Sequence, residues 1–178
     1  MKIQFAVLLV VLFTGCKEIT YQEPQPKGKK SLTRIPKALQ GTYFIVERGA
    51  SPTDTMTITD CCMMDAKGIK HILPLNDSLI IKSYKGYYFA NYSSHLKDWS
   101  LLVVEPQKNG DLICSGMPTD PKTFSKLCGE LSRFVTIDST RQDGDEKIYR
   151  IDPTPKELIK LVKSGVFSEK SLWKKQKP

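Results

Sequence analysis

Between residues 41 and 151 the chain alternates short apolar, β-branched or aromatic stretches with turn residues. Residues 42–46, 56–59, 69–73, 79–81, 87–89, 99–104, 112–114, 134–137 and 147–151 each read as a short strand suited to a pleated, half-buried surface. Lys85-Gly86, Asn109-Gly110 and Asp143-Gly144 punctuate them, and such pairs supply the positive φ that tight hairpins need. Two stretches change period. After Asp120-Pro121, an N-cap followed by a first-turn proline, Phe124, Leu127, Cys128 and Leu131 recur at helical spacing. Thr154-Pro155-Lys156-Glu157 is a capping box, and Leu158, Ile159, Leu161 and Val162 form the apolar face behind it, stopped at Gly165. The pattern predicts a mainly β domain over residues 38–178. Its expected architecture is a single antiparallel meander, closed as a barrel or folded as a sandwich, with a short internal helix and a C-terminal amphipathic helix.

The longest apolar run lies outside that domain. Met1-Lys2 is a minimal basic start, residues 3–13 are apolar except for Gln4, and Thr14-Gly15 lead to Cys16. Eleven apolar residues fall short of the roughly 20 that a spanning helix requires. A basic start, a short apolar run and small residues before a cysteine resemble a bacterial lipoprotein leader, with Phe13 where leucine is commonest. The resemblance implies cleavage after residue 15 and acyl chains on the Cys16 thiol and the new amino terminus. At about 0.8 kcal/mol per buried CH₂, several chains hold a protein to a bilayer. Residues 17–37 carry Pro24, Pro26, Gly28 and six Lys/Arg against two Glu, so residues 16–37 read as a lipidated cysteine followed by a basic flexible linker.

Charge separates ends from middle. The net charge is +8, yet residues 38–153 have thirteen basic and fifteen acidic side chains. No basic stripe interleaved with aromatics runs through that body, which disfavours nucleic acid as a partner. The basic ends suit either solvated surfaces or anionic lipid headgroups. With Cys16 acylated, Cys61, Cys62, Cys114 and Cys128 remain, and an oxidising compartment admits either buried free thiols or a disulfide among them. Neighbouring strand residues face opposite sides, so the adjacent Cys61-Cys62 pair is expected to diverge. Without C-x₂-C spacing, His71 and His95 are not expected to complete a metal site, and no cofactor is expected beyond the covalent lipid.

Two family resemblances bear on function. The leader, Pro24-Gln25-Pro26, the run Ile35-Pro36-Lys37-Ala38-Leu39-Gln40-Gly41-Thr42-Tyr43 and the Pro155-Lys156-Glu157-Leu158 helix ending at Gly165-Val166-Phe167 resemble small uncharacterised lipoproteins of Bacteroidetes-type bacteria. That resemblance implies attachment in the envelope of a two-membrane cell, with the outer membrane favoured, and no particular activity. Gly41-Thr42-Tyr43 is also similar to the first-strand Gly-X-Trp of lipocalins, with tyrosine in place of tryptophan. This second resemblance implies a barrel carrying a small apolar ligand.

Catalytic chemistry has few candidates. Ser93-Ser94-His95 and Asp98 bring a hydroxyl, an imidazole and a carboxylate close in sequence, but triads are assembled in space, and the stretch reads as a polar loop. No nucleophile elbow, H-E-x-x-H or phosphate-binding glycine loop is present. Asp143, Asp145 and Glu146 around Gly144 lack a twelve-residue calcium pattern and read as a solvated turn. The expectation is a non-catalytic lipoprotein that binds or scaffolds another envelope component, with the lipocalin-like carrier as the alternative.

Overall fold

The structure, a computed structural model, describes residues 17–47, 54–65, 72–93, 98–143 and 146–176. The leader, Cys16, His71, Ser94, His95 and the centre of the Asp143-Gly144-Asp145-Glu146 turn lie outside those residues. In chain order the elements are β1 (Lys17–Tyr21), a 3-10 turn (Lys37–Leu39), β2 (Gly41–Glu47), β3 (Asp54–Ile58), β4 (Cys62–Asp65) and β5 (Ile72–Pro74). Next come β6 (Leu79–Tyr84), β7 (Tyr87–Ser93), β8 (Trp99–Pro106), β9 (Leu112–Gly116) and α1 (Pro121–Leu131). The chain continues through β10 (Ile137–Asp143), β11 (Glu146–Ile151), α2 (Pro155–Ser164) and β12 (Glu169–Lys175).

The protein is mainly β, as expected: the strands form one mostly antiparallel sheet that does not close on itself. Two local meanders, β2 to β5 and β6 to β9, supply most of it. Two strands that the apolar pattern did not announce complete the sheet: β12 joins the meanders, and β1 joins the second meander to the β10–β11 hairpin. β12 lies between β9 and β2, antiparallel to both. β1 pairs in parallel with β11 from Lys17↔Lys147 to Tyr21↔Ile151, and meets β8 at Tyr21↔Trp99.

The expected linker is therefore corrected. Its first residues are β1, with Ile19 and Tyr21 buried on one face and Thr20 on the other. The proline-rich stretch that follows is packed as well. Gln25 is fully buried, and the Asn91 amide holds it at both backbone groups: Gln25 N–H donates to Asn91 Oδ1 at 2.6 Å, and Asn91 Nδ2 donates to Gln25 C=O at 2.8 Å. Buried Lys82 donates to the carbonyls of Pro24 and Pro26 at 2.6 and 3.1 Å. Prolines leave their carbonyls free to accept, so extended proline-rich backbone is good material for such docking. The expected C-terminal helix is also not the last element, because β12 follows it. The strand expected over residues 134–137 is displaced: Phe134 and Val135 continue the exit from α1 as packing residues, and β10 begins at Ile137.

Side chains divide between two cores. On one face of β1, β8 and β11, Phe124, Leu127 and Leu131 of α1 and Leu158 and Leu161 of α2 pack with Tyr21, Phe89, Val103, Ile151 and Phe167. The other core is built by β2, β3, β4, β6, β9 and β12, around Ile35, Leu39, Tyr43, Ile58, Leu79, Leu112 and Trp173. Both helices match their sequence signals. Asp120 accepts from Lys122 N–H at the start of α1; Thr154 and Glu157 form the reciprocal capping box of α2, which ends at left-handed Gly165, φ 86°. Tyr43 is fully buried, its hydroxyl donating to Leu39 C=O at 3.0 Å and its ring centroid 6.3 Å from that of Trp173. Burial pushes its phenol up to about 12.

Candidate functional site

A polar cluster surrounds Asp98, a buried carboxylate held by two part-exposed arginines. Asp98 precedes β8 and is 3 % exposed. Arg150 of β11 donates to Oδ1 at 2.5 Å, Arg141 of β10 to Oδ2 at 3.1 Å, and the Thr20 hydroxyl of β1 to Oδ2 at 3.3 Å. The register explains the convergence: Thr20 lies beside Arg150, and Arg141 lies on β11's other neighbour, β10. Beside this group the Ser100 hydroxyl donates to Glu18 at 2.5 Å. Of the residues considered for a triad, Ser93 ends β7 and Asp98 is bound to two guanidinium groups, while Ser94 and His95 fall outside the described residues. Two arginines and a hydroxyl on both carboxylate oxygens make Asp98 a clasp between the start of β8 and the β1–β11–β10 ladder. Sequence reading overlooked Thr20, Arg141 and Arg150, whose separation along the chain hides a parallel strand pair.

Cys61, Cys62, Cys114 and Cys128 are free thiols in the structure. Cys114 is buried in the second core, where burial pushes its thiol up to about 12. Cys128 packs beside the first core on α1; burial raises its pKa, against the opposing pull of Lys17 and Lys147. Different cores keep those two apart. Cys61 and Cys62 do not diverge as strand neighbours would, because Cys61 belongs to the turn before β4 and only Cys62 has entered the strand. Their sulfurs stand 3.8 Å apart, with the Thr59 hydroxyl 3.5 Å from one and 3.2 Å from the other. Among the described residues, no group of three or more His, Cys, Asp and Glu side chains is placed to hold a metal ion.

Space for a ligand lies outside the cores. The second core encloses a cavity of only about 10 Å³, among residues that include Ile35, Leu39, Val104 and Trp173. A pocket for a small molecule is typically ~300–1,000 Å³. An open cleft of about 510 Å³ lies over the paired ends of β9 and β12, lined by Leu102, Cys114, Gly116 and residues 168–171. A second, of about 690 Å³, lies between Arg34, Lys37, Gln40 and Asp60.

One further cluster surrounds the first described residue. Lys17 Nζ stands 5.6 Å from the centroid of the Phe124 ring, and Lys147 Nζ 5.4 Å from that of Tyr149. The two rings are themselves 4.9 Å apart. Two ammonium groups thus cap an aromatic pair where β1, β11 and α1 meet. Among the described residues no helix is long and apolar enough to cross a membrane. The chain matches no family model, no curated protein and no solved structure.

Proposed function

We propose that this is a cell-envelope lipoprotein, held by acyl chains on Cys16 to a membrane, with the outer membrane favoured, and that it binds or scaffolds another envelope component without catalysis. The observation that carries the choice between binder and carrier is the close packing of the second core among the described residues. A carrier of a small apolar ligand needs an enclosed apolar volume many times the 10 Å³ in the second core, and an open sheet does not seal one. The commitment of Asp98 to Arg141, Arg150 and Thr20 also leaves its carboxylate engaged in the fold rather than in proton transfer. The open 510 Å³ cleft over the paired strands β9 and β12 suits a protein segment better than a small molecule, being of mixed polarity.

The test is site-specific photo-crosslinking in the native envelope from position 170, at the rim of that cleft. A discrete adduct is expected, lost when Ser171→Trp fills the cleft. Stoichiometric, saturable uptake of a fluorescent fatty acid by the purified protein, with no adduct, would instead favour the carrier.

A further inference from the structure

We propose that the lysine-capped aromatic cluster of Lys17, Lys147, Phe124 and Tyr149 is the face by which the body rests directly on phosphate-bearing lipid headgroups. The proposal rests on the reading of Cys16 as the acylated residue.

Chain length is the first argument. β1 begins at Lys17, so the cysteine that would carry the acyl chains is bonded to a strand already paired in the sheet. Consecutive Cα atoms are about 3.8 Å apart, and one peptide link provides no spacer. A tether of twenty flexible residues would let the body point anywhere. A tether of one residue fixes which part of it meets the bilayer. That part is the Lys17 end of the β1–β11 ladder, where Lys17 and Lys147 are register partners.

The chemistry of that end is the second. Two ammonium groups lie over a tilted ring pair, the planes at 45°, with Lys17 at 5.6 Å from Phe124 and Lys147 at 5.4 Å from Tyr149. The ammonium groups themselves sit over the rings, and with Lys147 exposed and Lys17 half-buried they give this end a positive charge that can meet lipid phosphate.

The opposite end of the ladder provides an internal control. Tyr21 pairs with Ile151 there, and Lys27, bonded to Asp152, and Lys156 of α2 lie near it.

The experiment uses the full lipidated protein in vesicles of phosphatidylethanolamine and phosphatidylglycerol, treated with a water-soluble amine-acylating reagent and read by peptide mass spectrometry. Lys17 and Lys147 should be acylated severalfold more slowly on vesicles than in detergent, while Lys27 and Lys156 keep their rates. Equal rates at all four lysines in protein that still floats with the vesicles would overturn the docking face and leave the anchor standing. Protein that does not float would overturn the anchor, and this inference with it.

Discussion

Asn91 carries more of the fold than its position on a strand suggests. Its side chain accepts from Gln25 N–H and donates to the carbonyls of Gln25, Ile80 and Phe89, with no exposed surface. Asn91→Ala orphans backbone groups that water cannot reach. Each costs about 1–3 kcal/mol, so a loss of about 2–4 kcal/mol in urea unfolding is expected; a loss within error would mean that the segment around Gln25 is not docked. Tyr43 provides a second reading at this scale. Its folded pKa of about 12 lies above the ordinary 10.0, so the stability it contributes is complete below pH 10 and is lost as pH rises towards 12. Tyr43→Phe should flatten that part of the alkaline stability profile. Tyr43 stands out in the sequence, behind Gly41-Thr42; Asn91 does not. An asparagine in an aromatic strand reads as a solvent-facing position until the segment it holds is seen.

At the scale of elements, the second helix shows what local signals can deliver. The capping box, the first-turn proline and the terminal glycine all lie within twelve residues, and the structure forms each of them. Thr154→Ala should lower stability by about 1 kcal/mol. Glu157 is held below its ordinary 4.5 by hydrogen bonds from the Thr154 backbone and hydroxyl. A depressed carboxylate gives stability that is present above 4.5 and is lost as pH falls through the folded value, so the Thr154→Ala penalty should shrink in acid. The hairpin strands were legible for the same reason: alternation and Lys85-Gly86 or Asn109-Gly110 turns are local, and the structure gives Lys85, Gly86 and Gly110 positive φ. The strands at the chain's two ends were not legible. β1 is Lys-Glu-Ile-Thr-Tyr and β12 is Glu-Lys-Ser-Leu-Trp-Lys-Lys, each with too many charges for a strand pattern to register. What makes them strands is non-local, since β1 needs β11 and β12 needs both β9 and β2. The Asp98 clasp was invisible for the same cause, because it forms only once β1 lies beside β11.

For the whole molecule, the end strands change what an anchor at Cys16 means. The body would follow the acylated residue with no flexible spacer, and its orientation on the membrane would be set by the sheet. The proposed recognition at the surface would use the open clefts, the cavity of the second core being only about 10 Å³. All of this depends on the chemistry at Cys16, and the most direct measurement is mass spectrometry of the amino-terminal peptide from the native protein, with membrane fractionation of wild type and Cys16→Ser. The account predicts a mature chain beginning at Cys16, bearing a diacylglyceryl thioether and an N-acyl group, and a Cys16→Ser protein that lacks both and leaves the membrane. A mature chain with a bare Cys16 thiol, recovered from the soluble fraction, would contradict it.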